Sequence, residues 1–140
     1  MKTRTLFKAL FICLALTISA VSCNSTKEIP SDLTAPQLLQ RGQHSIDTAE
    51  YKMAERYFLK TIELYGEDPN TYIEARYELA HLYMKQKKYD KAYVILDEIL
   101  EIYDNSVTGT LPAAYKKLAQ LDMSKIPAAK LEELENQKNH

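Results

Sequence analysis

The sequence predicts an all-α chain: a short solenoid of antiparallel helix pairs, preceded by a segment that export would remove. Three observations carry this. A helical motif that begins at Tyr51 recurs from Tyr89. One long stretch, residues 70–87, is apolar on two faces. The composition also suits helices, with three glycines and no tryptophan in 140 residues.

The recurrence sets the element order. "YKMAERYFLKTIELY" (51–65) aligns beneath "YDKAYVILDEILEIY" (89–103), pairing Tyr51 with Tyr89, Ala54 with Ala92, Ile62 with Leu100 and Tyr65 with Tyr103. Counted from each alanine, the apolar positions fall at helical spacing and form one stripe. Carried upstream, the same shift pairs Leu39 with Tyr77, Gly42 with Ala80 and Ile46 with Met84. Each unit is therefore two helices.

The predicted helices run over about 36–48, 50–65, 70–87, 89–104, 111–121 and 125–137. Asp68 before Pro69 is a start signal for the third, and "DNSVTGT" (104–110) breaks the chain before Pro112. In the third helix one stripe holds Tyr72, Ala75, Leu79, Leu82 and Tyr83, and another holds Ile73, Tyr77, Ala80 and Met84. Two apolar faces require a neighbour on each side, which the middle of a stacked array supplies. The last segment, "KIPAAKLEELENQ", has Glu133 where a large apolar residue should follow its alanine. Residues 123–140 are therefore expected to form a polar-faced cap or a partner-binding tail.

These residues resemble the tetratricopeptide repeat. The resemblance rests on Gly42, Tyr51, Ala54 and Phe58 in the first copy, and on Leu79, Ala80, Tyr83, Tyr89, Ala92 and Leu96 in the second. Arg41 and Ser45 depart from the family's usual Leu and Tyr, so the first helix is expected to be irregular or to act as an end cap. The period is longer than the family's usual unit by about one helical turn, with the excess near "YGEDPN" (65–70). Longer units of this kind resemble the tetratricopeptide lipoproteins of bacterial envelopes, including the BamD-like outer-membrane assembly factors. The resemblance implies repeats over 35–122 and no catalytic role.

The N-terminus points to the same compartment. Lys2, Arg4 and Lys8 precede an apolar run from Ala9 to Val21, too short to span a bilayer but of secretory length. Ala20-Val21-Ser22-Cys23 resembles a bacterial lipobox, with Ala20 in place of the usual Leu. On that reading residues 1–22 are a lipoprotein signal peptide, Cys23 is the lipidation site, and residues 23–34 are a flexible tether. The alternative is an ordinary cut after Ala20 or Ser22 that leaves a free thiol. Cys13 lies within the removed segment, so the mature chain has one cysteine and no internal disulfide; acylation explains the leftover thiol. Asn24 lacks the Asp that retains some lipoproteins at the inner membrane, which favours the outer one.

Chemistry is sparse. His44, His81 and His140 stand in no ligand-spaced pair and read as surface residues, and the sequence has no glycine-rich phosphate loop or nucleophile elbow. We expect no enzyme activity, no metal and no cofactor. Residues 1–22 carry three of the 18 Lys and Arg and none of the 19 acids, so the remainder is acidic by four charges. That excludes a phosphate-gripping surface, and with it nucleic acid. No small-molecule substrate is evident.

Binding remains. In the resembled family, the first helix of each pair lines the inner face. Carried over residue by residue, the groove would present Leu39, Gln43, Ile46 and Asp47, then Glu74, Tyr77, His81, Met84 and Lys85, with Lys116 and Gln120 following; the alternative is that Leu39, Ile46, Tyr77 and Met84 pack against the neighbouring helices. The residues that grip a peptide's terminal carboxylate in some members are absent; Leu39 and Gln43 stand there. The expected function is a non-catalytic, membrane-anchored adaptor taking a protein or peptide partner in the cell envelope. The alternatives are an assembly subunit using its convex face, or a surface lipoprotein contacting host molecules.

Overall fold

A computed structural model describes residues 28–107 and 109–138. The expected signal peptide, Cys23, residues 24–27 of the tether, and His140 lie outside the described residues. Six helices follow in order: α1 (Ala35–Asp47), α2 (Tyr51–Tyr65), α3 (Pro69–Lys85), α4 (Tyr89–Asn105), α5 (Ala113–Ser124) and α6 (Ala128–Lys138). Among the described residues there is no strand, and no helix is long and apolar enough to cross a membrane.

The helix starts are those that capping chemistry favours. Gln37 Oε1 accepts the Thr34 N–H at 2.9 Å, satisfying a donor at the start of α1. The Asp68 carboxylate accepts from Thr71 N–H at 2.9 Å and from Thr71 Oγ1 at 2.7 Å, with Pro69 opening α3. Those bonds hold the Asp68 carboxyl below the ordinary carboxylate range. Of the two expectations for α1, irregularity is not seen: the helix is regular despite Arg41 and Ser45. Ser45 is buried, and its carbonyl receives the Glu50 N–H at 2.8 Å.

That bond belongs to a turn that occurs twice. After α1, Glu50 N–H reaches Ser45 O and Ala49 N–H reaches Ile46 O, with Ala49 at φ 59°. After α3, Lys88 N–H reaches Tyr83 O at 2.9 Å and Lys87 N–H reaches Met84 O at 3.0 Å, with Lys87 at φ 57°. Both are Schellman ends, with a left-handed residue just past the helix satisfying the last carbonyls. Glycine usually stands there; here the two positions hold Ala49 and Lys87, related by the same shift that carries Tyr51 to Tyr89.

Packing repeats with that shift. A Cβ on Gly42 would come within 2.3 Å of the Phe58 ring, which is fully buried. Gly42 is thus the space into which α2 pushes its aromatic ring. One repeat later Ala80 and Leu96 occupy the corresponding positions, both fully buried. The smaller apolar residue leaves room for the methyl, so the sum of volumes is roughly kept. The core continues through Ile73, Leu79, Leu82, Ile99 and Ala119. As the two-stripe pattern predicts, α3 buries Ile73, Ala75, Tyr77, Leu79, Ala80, Leu82 and Tyr83. It packs against α2 and α4 on one side and α1 and α5 on the other.

The third pair departs. α6 packs on α4 rather than on α5. Lys138 Nζ lies 2.7 Å from Asp97 and 2.6 Å from Glu101, and Lys130 Nζ lies 2.6 Å from Asp90. Leu134 is buried in a satellite cluster with Tyr93 and Ile126. The large apolar residue that seemed missing at Glu133 is therefore Leu134, which falls one full period after Leu96. Aligning on the wrong alanine displaced it by one.

The expected flexible tether also differs. Leu33 is buried, its carbonyl accepts from the Tyr65 hydroxyl at 2.7 Å, and Ile29 and Pro30 lie beside Leu59 and Lys60 of α2. Leu33 ties the end of this segment to α2, while Glu28 and residues 30–32 stay exposed.

Candidate functional site

The first helices of the pairs, α1, α3 and α5, form one layer, and α2 and α4 form the other. The expected groove residues divide sharply within that layer. Leu39, Ile46 and Tyr77 are about 6–7 % exposed and belong to the core. Their apolar side chains pack between neighbouring helices, so they build the groove's support rather than its surface. Met84 is half-buried against both clusters, and Gln43, Asp47 and Lys85 are exposed. Lys116 turns aside to Asp104 of α4 at 2.8 Å. Gln120 is exposed beside Leu118 and Leu121.

Burial leaves a polar and aromatic strip over that support. Gln43 Nε2 donates to Glu78 Oε1 at 3.0 Å, tying α1 to α3. Burial pushes the Glu78 carboxyl up, the Gln43 bond opposes this, and neighbouring Glu74 adds to the rise. The Tyr77 ring stacks on His81 with centroids 5.9 Å apart and lies 5.6 Å from Tyr115 of α5. Burial, with Glu74 as hydrogen-bond partner, raises the Tyr115 hydroxyl's pKa.

Asp122 is the centre of the strip. Its side chain is only 2 % exposed, yet both oxygens are used. Oδ1 takes Lys125 Nζ at 2.8 Å; Oδ2 takes the Tyr77 hydroxyl at 3.3 Å and lies 2.8 Å from His81 Nδ1. Burial pushes its carboxyl up, but the Lys125 and His81 bonds outweigh this and hold it below the ordinary carboxylate range. An ionised carboxylate can only accept, so His81 carries its proton on Nδ1. His81 is therefore a half-buried link between α3 and α5, not the lone surface histidine the sequence suggests.

Asp122, Lys125, Tyr115 and Glu78 were not anticipated. The period could have found two of them: Tyr115 stands one repeat after Tyr77, and Asp122 stands one repeat after Met84. The period places Asp122 in register with Ile46 and Met84, a covered position, but its residue type hid this.

Among the described residues, no three His, Cys, Asp or Glu side chains gather closely enough to hold a metal ion. Asp122, His81, Tyr77 and Lys125 are bonded to one another, and Gln43 to Glu78, which ties α1, α3 and α5 together.

The tetratricopeptide repeat family matches residues 58–121, spanning α2 to α5. An uncharacterized protein of Treponema pallidum (strain Nichols) is 32% identical over 108 residues, covering 75% of this chain and 43% of that one. The chain thus spans less than half the length of this relative. No solved structure matches. Over the matched residues, the paired helices with their duplicated turn and small-to-large packing are similar to repeats of the tetratricopeptide type.

Proposed function

We propose that this chain is an exported, lipid-anchored adaptor that binds a segment of a partner protein on the α1–α3–α5 layer. The observation that carries the binding half is the strip itself: Gln43, His81, Met84 and Lys85 present polar and apolar contacts over a rigid, buried row of Leu39, Ile46 and Tyr77. Such a surface suits an amphipathic segment. A photo-crosslinker at Gln43, in intact cells, tests it. A discrete adduct lost on adding Met84→Asp supports the groove, and labelling indifferent to that change removes it.

The anchoring half is supported by the three N-terminal cations, the apolar run and the small residues before Cys23. Five residue steps separate Cys23 from Glu28, a reach of at most about 17 Å. With Ile29 to Leu33 laid along α2, a lipid on Cys23 would hold the α2 side close to the bilayer, in the outer membrane on the Asn24 argument. A clickable fatty acid should label wild type and not Cys23→Ala, with the variant released from membranes or unprocessed. Equal labelling of both sinks the anchor and leaves the groove untouched.

A second reading, an assembly subunit using its outer layer, is favoured by exposed Leu59 and Leu64 on α2 and Val94 on α4, the last 62% exposed. It expects Val94→Glu to abolish association while Gln43 adducts are absent.

A further inference from the structure

Beyond the strip, the ends of α3 and α5 and the turn into α4 enclose a recess of about 270 Å³. Met84 and Tyr89 give it half-buried apolar surface, and Lys85, Lys87 and Lys125 give it charge. Among the described residues, Lys85 and Lys87 have no ion-pair partner. Asp122 pairs with neither of them: Lys125 forms its ion pair and His81 and Tyr77 are its hydrogen-bond partners. The left-handed backbone and the two bonds of the Schellman turn fix where the Lys87 side chain leaves the main chain, at the mouth of the recess.

The opposite sign lies nearby on the same helix. Glu74 and Glu78 stand two to three turns before Lys85, about 10–16 Å along the helix. Gln43 and Tyr115 hold them in place from α1 and α5. The strip therefore has an acidic end and a basic end with an aromatic middle.

We propose that the partner segment docks with a fixed polarity: an acidic side chain next to an apolar one enters the Lys85–Lys87–Lys125 recess, and a basic side chain lies over Glu74 and Glu78. This rests on the adaptor reading and adds the chemistry of the partner. Charge complementarity selects the occupant. A carboxylate meets two unpaired ammonium groups, its apolar neighbour covers Met84 and Tyr89, and the reverse orientation sets carboxylate against carboxylate.

The test uses the full chain in detergent and fluorescent synthetic peptides of equal length. One carries an Asp-Leu pair at one end and Lys at the other, one has the Asp replaced by Asn, and one is the first with its C-terminus amidated. Anisotropy should show the acidic peptide binding at least about threefold tighter than the Asn peptide, unchanged by amidation. Lys85→Glu with Lys87→Glu should erase that preference, and exchanging the peptide's Asp for Lys should restore binding to the variant. Equal binding of the Asp and Asn peptides, or no binding of any of them, overturns the proposal. So does loss of binding on amidation, which would mean a terminal carboxylate is read instead. Circular dichroism of the doubly reversed protein excludes misfolding, since both lysines are exposed. The Gln43 adduct reports separately on the adaptor: an adduct with no charge preference keeps the groove and discards its polarity.

Discussion

The first two helix pairs and the third share one period but end differently. α1–α2 and α3–α4 each turn through a left-handed residue and seat a large apolar side chain against a small one. At the end of α5 the corresponding Leu121 carbonyl accepts from Ser124 Oγ at 2.7 Å, and the Ile126 N–H goes to Met123 O instead. Lys125 has φ −86° where Ala49 and Lys87 are left-handed. The left-handed residue that a Schellman end needs is therefore missing at Lys125. The chain leaves in another direction, and α6 crosses to α4. In this array the turn, more than the helix stripe, decides whether a pair closes on itself.

The largest test of that contrast lies in the first pair. Gly42→Ala would drive a methyl into the buried Phe58 ring, and we expect a loss of about 2–3 kcal/mol by urea denaturation. Adding Phe58→Leu reproduces the Ala80–Leu96 arrangement and should recover at least half of the loss. No recovery would mean that the two pairs are not packed alike.

Next comes the joint between the second pair and the third. Asp122→Asn removes a buried charge from Lys125, His81 and Tyr77, and should cost about 2 kcal/mol. Its depressed folded pKa means a stabilising contribution that is present above the unfolded carboxylate range and lost as pH falls through the folded value. Glu78 has the opposite sign. Its raised folded pKa contributes most below the unfolded value, and that contribution is lost as pH rises through the folded one. Denaturation midpoints followed from pH 7 into the acid range should fall less steeply for Asp122→Asn and more steeply for Glu78→Gln than for wild type.

A smaller effect concerns the turns. Ala49→Gly or Lys87→Gly should stabilise by about 0.5–1 kcal/mol, since glycine meets less strain in the left-handed region. Lys125→Gly, at a right-handed cap, should not stabilise. The smallest effect concerns α6, held by the small Leu134 cluster and by ion pairs that salt screens. Hydrogen exchange of 128–138 should quicken in high salt while α1 to α4 keep their protection.

Much of the helical part could be read from the chain. The spacing of Ala54 and Ala92 and the double stripe of 70–87 gave helices within two or three residues of those observed. The repeat even foretold Leu134, had it been counted from Leu96 rather than from an alanine. The site was less readable. Leu39, Ile46 and Tyr77 looked like groove surface because a stripe does not say whether a neighbouring helix covers it. Asp122 looked like any surface acid.

By itself, the sequence determined periodicity, helix starts and the class of fold, because those depend on residues within a turn or two of one another. The tertiary structure alone decided which faces are covered, that Asp122 is buried and shared, and that α6 leaves α5 for α4. Each depends on contacts between residues dozens of positions apart, and desolvation acts on the assembled surface, not on the order of residues along the chain.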